Sequence, residues 1–351
     1  MLRDNSTQQR WLASVNGAAF LIRVKWVALR ATITSRLQAS RIFHEYLSQH
    51  MSETDIFAML SLSAEFENVA VREEELTTLM RKFCAHSVRA GVENRHGKVN
   101  VLLQTYIGRG RPSSFSLCAD LNYIAQNAGR VVCSVFEIVQ RRGWSSLCIL
   151  MLDIATAIER RLWPHECPFA QLNVSRDSPH RSYAKAMNLS PEMLWKLDSK
   201  KLSLSQLKDM DAGEVGAILR HPSAGAKVLR ILNAFPDISL DAVIQPITRT
   251  VLRVSLTVEM RFDWVNSLHG SALKWLILVE DSDNEFIYHS ESLMMTRKMI
   301  DDRFRSWSRC LHSITCAWSP SHGCTPDRFS SSRFGNLCSR VGIHRTLSSS
   351  V

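Results

Sequence analysis

"LNYIAQNAGRVVCSVFEIVQRRGW", residues 121–144, is the stretch whose reading decides the fold. Leu121, Ile124, Ala128, Val131, Val135 and Ile138 recur at spacings of three and four, which draws one apolar stripe along an α-helix. Tyr123, Asn127, Arg130, Ser134, Glu137 and Arg141 draw a second row of the same pitch, and that row is polar. One face of the helix packs into a helical assembly. The other carries an aromatic ring, an amide and two arginines that packing does not require.

Working outward, the segments on either side of this helix are helical too. "MSETDIFAML" offers Ser52 as an N-cap with Asp55 three residues on, a capping-box arrangement. "VREEELTTLMRKFCAHS" is amphipathic, and its adjacent Glu73, Glu74 and Glu75 are expected to splay around a solvated helix rather than pair as catalytic carboxylates. "KVNVLLQTYIGRGRP" reads as a buried helix closed by Gly108 and Gly110 with Pro112 beyond, and "SSLCILMLDIATAIERRLW" is stopped by Pro164. Five helices with short links predict an α-helical bundle over 45–170, with the opening helix at 120–142.

Residues 189–236 have a different texture, with three or four short helices and a turn at "HPSAGAKVL", which predicts a helix-loop-helix unit. After Pro236 the period changes to two. "VLRVSLTVEM" alternates, and "KWLILVED" and "EFIYHSESL" flank the turn "DSDN". About 60 residues, 237–297, therefore read as the start of an immunoglobulin- or fibronectin-like β-sandwich that stays incomplete, with unpaired edges. The predicted class is mainly α with a β part, between irregular ends.

The ends also hold the charge. The formal net charge is +10, but residues 1–44 contribute seven Lys/Arg against one Asp and residues 298–351 eight against three. The centre, 45–297, is close to neutral, so a whole-chain electrostatic argument for nucleic acid fails and only local basic rows count. The acid-poor leader 1–44 suits either an organellar transit peptide or an unstructured segment. The tail 298–351, with twelve Ser, seven Arg and four Cys, is expected to be disordered and reads as translation outside a natural frame. "AAFLIRVKWVALRA" is interrupted by Arg23 and Lys25, so it predicts no membrane span. The nine cysteines lack paired spacing and predict a reducing compartment; the four in the tail lack a zinc knuckle, so no metal site is assigned.

Catalytic motifs are not found. "GVENRHGKV" has five residues between its glycines, not four, and Val99 where a phosphate loop needs a hydroxyl. No G-x-S-x-G, H-E-x-x-H or acidic helicase box occurs, so nothing in this chain is equipped to hydrolyse ATP and no cofactor is assigned. What remains is the polar row. Arg130 and Arg141 suit phosphates, Asn127 a base or backbone group, and Tyr123 base stacking, the combination found in single-strand grooves. Spacing alone favours the plainer account, a row facing water or pairing with neighbouring helices. Gly225 and Lys227 in the helix-loop-helix could offer backbone N–H groups and a charge to phosphate, or simply form a tight packed turn.

Six blocks in order carry a resemblance: "VREEE", "GKVNVLLQTYIGRG", "SFSLCADLNYIAQNAGRVVCSVFEIVQRRGW", "LMLDIATAIERRLW", "LKDMDAGEVGAILRH" and "IQPITRTVLRVSLTVEMRFDW…HG…WLILVEDSDNEFIYHSE". Over 45–297 the chain resembles the Sec-63 homology unit of the tandem-cassette, superfamily-two RNA helicases, in the branch of the activating signal cointegrator complex and near that of the spliceosomal U-five particle. The resemblance implies a bundle, a helix-loop-helix and a sandwich, with one bundle helix, the ratchet, lying along the translocating strand. Tyr123, Asn127, Arg130 and Arg141 would then face single-stranded RNA or DNA. ATP and Mg would belong to motor domains that this chain lacks, so a fragment is expected, with helicase-complex proteins as further partners, in nucleus or cytoplasm. The alternative it allows is a protein-assembly module that binds no nucleic acid. Residues 171–188, the leader and the tail have no counterpart in the resemblance.

Overall fold

The computed structural model describes residues 8–15, 18–27, 46–80, 84–112, 114–166, 168–169, 189–200, 202, 204–247, 251–281, 285–301 and 310–317. The inserted stretch 171–188 and most of the tail lie outside them.

The bundle consists of α1 (Glu53–Ser61), α2 (Glu73–Met80), α3 (Arg95–Ile107), α4 (Phe115–Arg142) and α5 (Ser145–Arg160), with a 3₁₀ turn at Ala64–Phe66. Each start has a local cause. The Ser52 hydroxyl accepts from the Asp55 N–H while the Asp55 carboxylate accepts from the Ser52 N–H, the full capping box. Asn94 caps α3, and Ser114 caps α4 by accepting from Leu117. The stops are equally local: Gly108 ends α3, and Gly143, at φ 73°, ends α4 in the left-handed conformation that glycine adopts without penalty.

α3 and α5 end in a mutual lock. Arg109 and Arg161 both sit at positive φ, 60° and 51°. The Arg109 guanidinium donates to the carbonyl of Arg161 (2.9 Å), and Arg161 Nε donates to the carbonyl of Tyr106 (3.1 Å). Each arginine thereby satisfies a carbonyl at the other helix's end, where orphan acceptors otherwise face water.

The helix-loop-helix unit comprises α6 (Pro191–Ser199), α7 (Leu204–Lys208), α8 (Ala212–Leu219) and α9 (Pro222–Ala234), around its own core of Leu197, Leu207, Val215, Val228, Ile231 and Leu232 among others. α8 and α9 cross on small residues. A Cβ added to Gly225 would stand 1.9 Å from the Ala212 carbonyl oxygen, and one on Gly216 would stand 3.0 Å from that of Pro222.

The β part departs from the sequence reading. β3 (Ile238–Pro246), β4 (Val251–Met260), β5 (Ala272–Asp281) and β6 (Ile287–Thr296) occupy the expected region, with the short helices α10 (Asn266–His269) and α11 (Arg297–Asp301). Three further strands come from the ends of the chain: β1 (Gln8–Val15), β2 (Ala18–Val27) and β7 (Cys310–Ala317). One antiparallel sheet has the order β1-β2-β5-β6 and the other β3-β4-β7. Phe20 lies opposite Asp281 and Val27 opposite Lys274, while Val251 lies opposite Ala317. The predicted class, mainly α with a β part, thus stands, whereas the expectation of irregular ends is corrected for 8–27 and 310–317, which supply strands. The cause is cross-strand pairing: the free N–H and C=O groups of β4 and β5 are met by strands distant in sequence.

β5 holds the molecule together. Leu273, Trp275, Ile277 and Val279 belong to the sandwich core, whereas Leu276 and Leu278 belong to the bundle core. A strand buried on both faces reads as a continuous apolar run instead of an alternation, which is why the middle of the strand, "WLILV" at 275–279, carries no polar residue.

Candidate nucleic-acid interface

α4 is the longest helix among the described residues, and its two ends are fixed by different devices. At the start, Lys98 of α3 is fully buried, and its ammonium donates to Glu75 Oε2 of α2 (2.5 Å) and to the Ala70 carbonyl (2.7 Å). It also pairs with Asp120 Oδ2 of α4 (2.7 Å). Arg72 and Ser116 both donate to Glu75 Oε1. Burial alone pushes the Glu75 carboxyl up, but the hydrogen bonds from Lys98, Ser116 and Arg72 outweigh it and hold the group below its ordinary value. One expectation changes here: Glu75 is not on a solvated face. The lysine of "GVENRHGKV" is a buried structural cation. Gly97 of that motif serves close packing, since a Cβ there would stand 2.0 Å from the Gly91 carbonyl oxygen.

At the other end, the Gly143 corner is bonded to the sandwich. Ile287 N donates to the Gly143 carbonyl (2.7 Å), Ser145 N to the Glu285 carbonyl (3.1 Å), and Gln140 Nε2 to Ser290 Oγ (3.0 Å). The buried Ser145 hydroxyl donates to Glu280, itself fully buried on β5. Between these anchors Leu117, Leu121, Ile124, Ala128, Val131, Val132, Val135 and Val139 pack into the bundle, as the apolar stripe predicts.

The polar row is present in its first half as a hydrogen-bonded chain. Tyr123 is 40% exposed, and its hydroxyl donates to the Glu65 carbonyl (2.7 Å). Asn127 Nδ2 donates to the Tyr123 carbonyl (2.9 Å), and exposed Arg130 donates to Asn127 Oδ1 (2.6 Å). Beyond Arg130 the row turns inward, because Ser134 is buried and donates to the Arg130 carbonyl (3.0 Å). Arg141 is exposed in the last turn, about 16 Å further along at 1.5 Å per residue. The structure therefore groups Tyr123, Asn127 and Arg130 and leaves Arg141 apart. Gly225 and Lys227 lie on α9 in the other unit, Gly225 buried against Ala212 and Lys227 exposed.

A second row, unread in the sequence, lies beside the first. Phe115, Ala119, Asn122, Gln126 and Arg130 are all exposed at spacings of four, three, four and four. The signal was available, but it begins before the apolar stripe does. Of the two thiols on this helix, Cys118 and Cys133, the second offers no nucleophile: Cys133 is pushed up to about 11, first by burial and then by Glu159 and Glu137, so it stays protonated at neutral pH.

With this geometry in hand, comparison with known proteins is decisive at the family level. The model of the Sec63 Brl domain matches residues 36–320. The chain belongs to the Sec63 Brl domain family. This Sec63 domain is similar to the DExH-box ATP-dependent RNA helicase DExH14 of Arabidopsis thaliana, 40% identical over 260 residues, 73% of this chain and 12% of that protein. It is also similar to human activating signal cointegrator 1 complex subunit 3, 42% identical over 262 residues, 74% of this chain and 11% of the relative. To the human U5 small nuclear ribonucleoprotein 200 kDa helicase it is 34% identical over 262 residues, 74% of this chain and 12% of the relative. The chain thus spans about an eighth or less of the length of these relatives. The family match extends beyond the resembling blocks on both sides, and its far boundary takes in β7, the strand that completes the smaller sheet. Among the described residues, no helix of this Sec63 domain is long and apolar enough to cross a membrane.

Proposed function

We propose that this chain is the Sec63-type accessory module of an ATP-dependent nucleic-acid helicase, and that α4 guides a single strand of RNA or DNA past motor domains that bind ATP and Mg. The observation that carries this reading is the two-faced helix itself. Its apolar face is locked into the bundle and both ends are anchored, while Tyr123, Asn127 and Arg130 present a ring, an amide and a guanidinium on the far side. A ring to stack on bases beside a cation for phosphate is the combination that tracks a strand without reading its sequence. The printed names of the relatives, RNA helicases among them, support the helicase setting. In this reading the protein works in the nucleus or cytoplasm, with proteins of a helicase complex as partners.

The test is strand binding by the full chain, measured by fluorescence anisotropy with a labelled 12-nucleotide single strand at several salt concentrations. Affinity is expected to fall as salt rises and to weaken on Arg130→Ala, with a shallower salt slope because one phosphate contact is lost. A module that served only in protein assembly would bind no strand and would be indifferent to Arg130.

A further inference from the structure

We propose that the strand lies along the outer row of α4, Phe115, Asn122, Gln126 and Gly129, with Arg130 at its end, instead of along the line that descends to Ser134 and Arg141. The proposal rests on the reading that α4 faces a single strand, and it names the contacts. Three observations on the same side of the helix converge on it.

The first is hydrogen bonding. Tyr123 and Asn127 are committed within the protein, to Glu65 and to Tyr123. Asn122 and Gln126 are exposed and their amides make no hydrogen bond among the described residues. Amides one helical turn apart present donors and acceptors in line, suited to base edges or sugar hydroxyls.

The second is Phe115, 91% exposed in the first turn of α4. A lone exposed apolar residue is ordinary. This one stands at the head of a row that contains no exposed acid, since Asp120 is turned toward Lys98. Its ring is a stacking platform, and every base has a face to offer it.

The third is Gly129. A glycine in the middle of a 28-residue helix costs stability, and packing usually explains it. Here it does not, because a Cβ at Gly129 would meet nothing within 4 Å. Gly225, in contrast, is required by Ala212. Space that the protein leaves open beside Gln126 and Arg130 lets a sugar-phosphate backbone approach the helix closely. From Phe115 to Arg130 the row runs about 22 Å, room for about six nucleotides at ~3.4 Å each.

The experiment uses the full chain with 12-nucleotide uridine and thymidine strands, and it compares wild type, Arg130→Ala, Phe115→Ala, Phe115→Trp and Gly129→Leu. Phe115→Ala is expected to weaken binding by between about 5- and 150-fold, whereas Phe115→Trp preserves it. Gly129→Leu is expected to weaken binding by at least about tenfold, with a thermal midpoint at or above that of wild type. That pairing excludes misfolding as the cause, since leucine is the better helix former and a Cβ at this position meets nothing within 4 Å. Loss with both strands supports contacts to base and phosphate, and loss with RNA alone supports contacts that include the 2′-hydroxyl. If Arg130→Ala weakens binding while Phe115→Ala and Gly129→Leu bind as wild type does, the outer row is overturned and the guiding function stands. If wild type binds neither strand, both fall.

Discussion

A lysine ammonium with no exposed surface needs its protons held, and Lys98 finds a carboxylate on α2, a carboxylate on α4 and the Ala70 carbonyl. Removing one partner of such a group leaves the others as uncompensated buried charge. Lys98→Met is therefore expected to destabilise the bundle by about 3–5 kcal/mol, read as a drop in the urea midpoint with far-UV circular dichroism. The same cluster predicts a pH dependence. Glu75 has its folded value held below the ordinary 4.5 that it regains on unfolding, so its contribution is complete above about pH 4.5 and is lost as the pH falls through the lower, folded value. Thermal midpoints measured from pH 7 down to 3 should drop below that point, and Glu75→Gln should flatten the drop. None of this cluster was legible in the sequence. Glu75 sits in a run of three acids that looks solvated, and Lys98 sits in a motif that imitates a phosphate loop. Only the crossing of α2, α3 and α4 brings them together.

At the scale of elements, the sequence was most informative where periodicity is long and caps are explicit. The apolar stripe of α4, the Ser52–Asp55 box and the Gly108 stop all appear in the structure where the residues put them. Half of the polar row did not behave as its spacing implied. A 3.6-residue period fixes which residues share a side, but how far round the helix the neighbours reach is a tertiary matter, and at Ser134 they reach that row. The α8–α9 crossing supplies a prediction of its own. Gly225→Ala forces a methyl group into the Ala212 carbonyl, so the helices must separate, and a cost of about 1–3 kcal/mol or more follows. Near-ultraviolet circular dichroism during urea titration would detect it. An unchanged midpoint would mean that the two helices slide apart freely.

For the whole molecule, the structure departs from the sequence reading at the two ends of the chain. The leader was taken for a targeting or unstructured segment because arginine without acid dominates it. Yet Phe20, Ile22, Val24 and Trp26 alternate with Leu21, Arg23, Lys25 and Val27, a period of two that β2 realises. Composition outweighed pattern there, and pattern was the better guide. If β1 and β2 cover the edge of β5, deleting residues 1–27 exposes the backbone groups of Lys274–Asp281. Amide exchange across that stretch should then accelerate and the protein should self-associate, followed by mass spectrometry and light scattering. Unaltered protection would show that β5 needs no cover.

The long-range pairing of the sandwich also sets an order of events in time. Bundle contacts are comparatively local, whereas Phe20 must find Asp281 and Val251 must find Ala317. Contacts between distant positions form late, because loop closure must be met before pairing rewards it. The five bundle helices can assemble while the chain is still being synthesised, but the smaller sheet cannot close until Ala317 has left the ribosome, by which time β1 and β2 have long been waiting. Newly made molecules therefore pass through a stage with a formed bundle and open strands, and chaperone demand and refolding yield should both be governed by that stage.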